Sequence, residues 1–211
     1  GVTLLALALC TAAPVPLPSG ADLRIGSVER RHPGMDGMVL TPGGRILVTW
    51  EESFGHAIVW DLQSGAALRK FPVPYGVTVA AGGALIATAP TWGDRITVSN
   101  VLSGRSLVSF DVPDLQKMAL SPRGGRLAVA TRGGLVQLWD TTSGRMTRSL
   151  DGERSDVDSL VWSPDGKALA VALPTGHVEV WDVDTPRLRH RVAHGGSGVR
   201  VVAFSPDSGT L

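Results

Sequence analysis

The chain has 211 residues, with 5 histidines, 19 carboxylate side chains and a single cysteine to carry out proton transfer, nucleophilic attack or metal binding. A nucleophile triad needs Ser or Cys beside a histidine that a carboxylate orients. His32, His56, His177, His190 and His194 stand in no Gly-x-Ser-x-Gly and no His-Glu-x-x-His context. His190 and His194 are four apart, the spacing that aligns two metal ligands on a helix. Here the alternation Arg187, Arg189, Arg191 against Leu188, His190, Val192 reads as a strand, with His194 in the loop beyond. Period two places the three arginines on one strand face, a pattern that fits a charged outer edge or a basic patch. Gly133-Gly134 and Gly195-Gly196 fall between strand-like runs rather than before a helix, so they read as turns and not as phosphate cradles. The sequence predicts no catalytic residue, no metal site and no cofactor. Cys10 has no second cysteine with which to form a disulfide.

The chemistry that remains is recognition. Trp92 sits in the turn Thr91-Trp92-Gly93-Asp94, where a large aromatic either anchors a partner or folds over its neighbours. Glu51-Glu52 reads as an acidic, solvated turn tip.

The elements that position these residues repeat. Trp60-Asp61, Trp139-Asp140 and Trp181-Asp182 occupy one place in three copies, and Ser99-Asn100 holds it in a fourth, at steps of 39, 40 and 42 residues. Turns keep the same beat: Thr41-Pro42-Gly43-Gly44, Ser121-Pro122, Ser163-Pro164-Asp165-Gly166 and Ser205-Pro206-Asp207. Eleven residues beyond each pair stands an apolar side chain, Phe71, Phe110, Leu150 or Val192. Within a copy, Leu127–Ala130, the Gly133-Gly134 turn and Leu135–Trp139 read as a β-hairpin. A period near 40 with a Trp-Asp pair reads as a four-stranded blade.

On these residues the chain resembles the WD-repeat β-propeller family over roughly residues 22–211. The resemblance implies an all-β partial propeller of four-stranded antiparallel blades, at about 31–71, 72–110, 111–150 and 151–193, with an incomplete fifth at 194–211. It also implies a polar staple joining a Gly-His, a turn Asp, a strand Ser/Thr and the Trp. In this chain the turn positions hold Phe54, Gly93, Gly133 and Thr175, and the Gly-His place of the fourth copy reads Gly152-Glu153. The staple is therefore expected to be missing, leaving blade stability to apolar packing.

Hydrophobic content of 43% against 18% charge is that of a globular chain. A net charge of +1 argues against a nucleic-acid or acidic-lipid partner held by bulk electrostatics. Residues 1–20 stand apart from 21–211. Val2–Ala13 is an uncharged apolar run followed by Pro14, Pro16 and Pro18, which reads as a signal-peptide core or part of a membrane helix leading into a linker. Cys10 within it also admits a lipoprotein site. The expected location is outside the cytoplasm, exported or membrane-tethered, with a cytoplasmic one as the alternative. Leu23–Val28 reads as the outer strand of a preceding blade, and the sequence stops inside a fifth, so the chain reads as part of a longer frame.

The expected function is a non-enzymatic scaffold that binds a protein or peptide. The alternative is a sensor or regulatory domain of a larger membrane-anchored signalling protein, and a propeller hydrolase comes third. The resemblance places partner contacts on the turns joining second to third strands, at Glu51, Glu52, Phe54, Trp92, Asp94, Arg132 and His177. It places others on the links between blades, at His32, Tyr75, Asp114, Arg154 and His194.

Overall fold

The computed structural model describes residues 5–6, 24–25, 37–41, 43–51, 55–72, 77–90, 93–195, 198–199 and 201–211. The chain divides into two compact units, Gly1–Tyr75 and Gly76–Leu211. In the first, β1 (Leu5–Ala6) pairs in parallel with β2 (Arg24–Ile25). Of Leu23–Val28, expected as the outer strand of a preceding blade, only Arg24–Ile25 is among the described residues. The same unit holds one antiparallel sheet, in order β3 (Gly37–Leu40), β4 (Ile46–Glu51), β5 (His56–Asp61), β6 (Ala67–Pro72). Among the described residues no helix is long and apolar enough to cross a membrane.

The second unit holds three such sheets. Blade two runs β7 (Val77–Gly82), β8 (Leu85–Pro90), β9 (Arg95–Asn100), β10 (Ser106–Asp111). Blade three runs β11 (Leu115–Leu120), β12 (Arg126–Thr131), β13 (Val136–Asp140), β14 (Arg145–Leu150). Blade four runs β15 (Ser159–Trp162), β16 (Ala168–Ala172), β17 (His177–Asp182), β18 (Arg187–Ala193). The second strands read as unbroken apolar runs because both their faces are covered: Leu127–Ala130 and Ala168–Ala172 are buried throughout. Outer strands are exposed almost end to end.

The +11 rule has a packing cause. Phe110 at the end of blade two stacks on Trp139 of blade three, centroids 4.7 Å apart and planes 10° off parallel. Leu150 likewise shares a buried cluster with Trp181 of blade four. At these two junctions the apolar side chain meets the indole of the next blade. Polar latches run alongside: the Val157 amide donates to Gln116 Oε1 at 2.9 Å, and the Trp162 indole donates to the Ala119 carbonyl at 2.9 Å.

The Asp of each Trp-Asp pair closes the turn between third and fourth strands. Asp140 Oδ1 accepts from the amides of Thr142 (3.1 Å) and Ser143 (2.7 Å) and from the Ser143 hydroxyl. Asn100 Oδ1 takes the same three bonds, from the Leu102 and Ser103 amides and the Ser103 hydroxyl. The turn thus needs an acceptor oxygen and not a charge. Asp140→Ala is expected to cost about 1–2 kcal/mol by denaturant melting, and Asp140→Asn close to nothing. Hydrogen bonds from Ser143 hold the Asp140 carboxyl below its ordinary range, as Gln63 does for Asp61 and Arg189 for Asp182. A folded-state pKa below the unfolded value means the unfolded chain binds more protons in acid. This stabilisation is therefore full above about pH 4 and is lost as pH falls through the folded values. Asp140→Asn should flatten that acid loss of stability.

Three expectations change at the level of strands. The incomplete fifth blade expected at 194–211 has no strand among its described residues. Val199, Val202 and Phe204 pack instead on Ala170, Ala172 and Val178. Apolar burial holds the segment where no second strand supplies a ladder. Its turn is nonetheless built: the Thr210 amide donates to Ser205 Oγ at 2.9 Å, as the Ala168 amide does to Ser163 Oγ. The arginines of β18 do not share a face. A β-bulge sets Leu188 opposite Trp181 and Arg191 opposite Glu179, while Arg187 lies opposite Asp182 and His190 opposite Val180. All four blades carry this outer bulge. Finally, Glu51 is not a solvated tip: it is the last residue of β4 and only 6% exposed.

Candidate partner-docking face

Two kinds of connection define opposite ends of the blades. The turn joining first to second strands bonds to the turn joining third to fourth, as in Val101 N to Ala84 O, Thr141 N to Gly125 O and Val183 N to Lys167 O. The turns joining second to third strands lie at the other end, beside the links between blades.

In the second unit that latter end is laced from blade to blade. Asp94 accepts at its carbonyl from the Val112 amide (2.7 Å) and at Oδ1 from the Asp114 amide (3.1 Å). The Asp114 carbonyl accepts from Arg132 N at 2.8 Å. Gly133 N donates to Asp156 Oδ1 at 3.3 Å, and His194 N donates to the Gly176 carbonyl at 2.9 Å. Gly134 has a positive φ of 80° and lies so close to the next link that an added Cβ would stand 2.3 Å from Ser155 O.

The structure thus brings Asp94, Asp114, Arg132, Arg154, His177 and His194 to one end of blades two to four. Glu51 belongs to the other unit and is buried in its sheet. Glu52, Phe54, Trp92, His32 and Tyr75 lie outside the described residues. Asp94, Asp114, Arg132, Arg154 and His194 are exposed, and His177 is half-buried. Arg154 pairs with Asp151 at 3.5 Å, and Arg95 with Asp111 at 3.3 Å.

The polar staple is not simply missing. In blade one the Trp60 indole donates to Thr49 Oγ1 at 2.9 Å, which keeps the strand-hydroxyl half of it. In blade three the Trp139 indole finds Gln137 Oε1. Blade four builds a replacement around Glu179, which is 2% exposed. Its Oε2 accepts from the Trp181 indole at 3.1 Å, and its Oε1 from the Glu153 amide at 3.2 Å and from the Arg191 guanidinium. A buried carboxylate is tolerable only with such partners. The hydrogen bond to Glu179 in turn raises the Arg191 pKa. Glu153 Oε2 lies 3.8 Å from both Arg191 and His177 Nδ1. Gly152 sits where a side chain would strike Glu179 Oε2. Ser155, Asp156 and Glu179 are residues of this end that the sequence did not single out. The only available signal was a Glu two residues before the Trp, on a strand whose other face is apolar.

A family model described as the Anaphase-promoting complex subunit 4 WD40 domain matches residues 147–207. Those residues cover the outer strand of blade three, all of blade four and the packed segment after it. The fold is that of a partial β-propeller, and this match supports a WD-repeat one. Among solved structures, the chain is similar to Kuenenia stuttgartiensis hydrazine synthase, with a TM-score of 0.70 and 22% identity over 87% of the chain and 57% of that protein. It is also similar to the β-propeller domain of Myceliophteria thermophila Cps50 (Swd1), with a TM-score of 0.71 and 14% identity over 85% of the chain and 61% of that domain. At those identities the likeness is one of fold, and the propeller described here spans about three fifths of each. No curated protein matches the chain in sequence.

Proposed function

We propose that this propeller is a non-enzymatic scaffold that captures a protein or peptide on the end built from Asp94, Asp114, Arg132, Arg154, His177 and His194. The observation that carries the reading is the lacing itself. Each exposed side chain stands on a turn or link whose backbone is bonded to its neighbour, so a partner meets a surface already ordered and little conformational entropy is lost on binding. Among the described residues no group of three or more His, Cys, Asp or Glu is placed to hold a metal.

The test is selection of peptides from a displayed library on the purified chain. Selected peptides should lose at least tenfold in affinity against Asp114→Lys or Arg154→Glu, and retain it against Arg148→Glu on the outer strand of blade three. Peptides that respond only to Arg148→Glu would move the docking site to the rim.

A further inference from the structure

The net charge of +1 conceals a separation of charge along the blades of the second unit. The docking end carries the exposed carboxylates Asp94, Asp114, Asp151 and Asp156 against two exposed arginines, Arg132 and the Arg154 that pairs with Asp151. At the opposite end the carboxylates are engaged by local partners, although Asp165 and Asp184 remain exposed. Asp140 and Asp165 close their own turns, Asp182 is held by Arg189, and Asp184 by Arg126 at 2.8 Å. The cations there are the reverse. Arg105, Arg123, Arg145, Lys167 and Arg187 are all exposed, and none lies in an ion pair among the described residues.

The placement of these cations is regular. Arg105, Arg145 and Arg187 each follow the turn between third and fourth strands, one per blade, while Arg123 and Lys167 sit in the neighbouring turns between first and second strands. Beside them stand apolar side chains that the fold leaves open: Leu102 is 51% exposed, Leu107 52%, Met146 50% and Leu188 42%. Leu107, Met146 and Leu188 are the second residues of β10, β14 and β18; Met146 and Leu188 directly follow their arginines, and Leu107 stands two residues after Arg105.

We infer that this end of blades two to four rests on an anionic lipid surface. Arginines bind headgroup phosphates with several donors each, and half-exposed Leu and Met side chains enter the interfacial layer beside them. One or two cations and one or two apolar residues per blade, repeated around a rim, demand no fixed pattern of opposing charges. Laterally mobile headgroups meet such a spread, whereas a folded acidic partner would need its carboxylates set at the same intervals. The acidic docking end then faces away from the lipid, open to its partner.

The experiment is co-sedimentation of the full chain with phosphatidylcholine vesicles, with and without about one third phosphatidylglycerol, at low and high salt. Residues 2–13 are apolar themselves, so the reading is the increment that phosphatidylglycerol adds. That increment should be present at low salt and fall as salt is raised. The triple variant Arg105→Glu, Arg145→Glu, Arg187→Glu should lose it by tenfold or more, while replacing the same three arginines by Lys keeps most of it and controls for folding. Leu102→Ser with Met146→Ser should weaken it severalfold. The inference is overturned by an absent increment, by an increment equal in the Glu triple and the Lys triple, or by binding of a poly-glutamate peptide without binding of vesicles.

Discussion

Gly134→Ala should lower the melting temperature of the domain by about 10 °C, while Gly133→Ala, one residue away, lowers it by only a few degrees. Both glycines have positive φ, 82° at Gly133 and 80° at Gly134, so either substitution forces an L side chain into the left-handed region. That costs about 1–2 kcal/mol. At Gly133 the cost ends there, because an added Cβ meets nothing within 4 Å. At Gly134 the same carbon would stand 2.3 Å from Ser155 O and 2.4 Å from Ser155 N. Those atoms are backbone and belong to the link that carries Arg154 and Asp156. The turn and the link must part, for a total of roughly 3–5 kcal/mol. Differential scanning calorimetry of the two variants measures the gap. Equal losses would mean that the turn does not press on the link.

Trp181→Ala should cost about 3–5 kcal/mol, and Trp181→Phe about 1–3 kcal/mol, both read from urea denaturation. The two numbers separate packing from polar satisfaction. Trp181 is 5% exposed within the cluster that includes Leu150, Val157 and Leu169, so truncation to Ala leaves a cavity there. Phe fills most of the space but removes the indole N–H, and Glu179 Oε2 is then buried without its donor. The same Phe substitution at Trp139 should cost less, because its indole bonds to Gln137, a neutral and less buried group. If Trp181→Phe proved neutral, Glu179 would be taking its support from Arg191 and Glu153 alone.

The sequence revealed what recurs and left hidden what occurs once. Trp-Asp pairs and Ser-Pro turns were legible because each is a local solution to a local problem, repeated at every blade. Even Ser99-Asn100, which lacks the Trp, is readable afterwards as an acceptor in the right place. The +11 apolar residues were visible as a pattern, but only packing explains them, since Phe110 answers to an indole 29 residues further on. The outer bulges were hidden because a single extra residue leaves no compositional trace, and that shift is what separated Arg187 from Arg191. Glu179 was hidden for a different reason. A lone Glu in a strand looks solvated until the Gly152 backbone, the Trp181 indole and the Arg191 guanidinium are placed around it. On the docking end, the turn residues were legible from register alone, whereas Asp156 and Ser155 owe their part to contacts between neighbouring blades.

The segment that packs after blade four bears on how such a chain is held together. Val199, Val202 and Phe204 are seated on Ala170, Ala172 and Val178, and Ser208 Oγ accepts from the Asp165 amide at 3.2 Å. A stretch that follows a completed sheet can therefore be held by side-chain burial and a single turn contact, without a backbone ladder to that sheet among its described residues, as in arrays whose units contact only their neighbours.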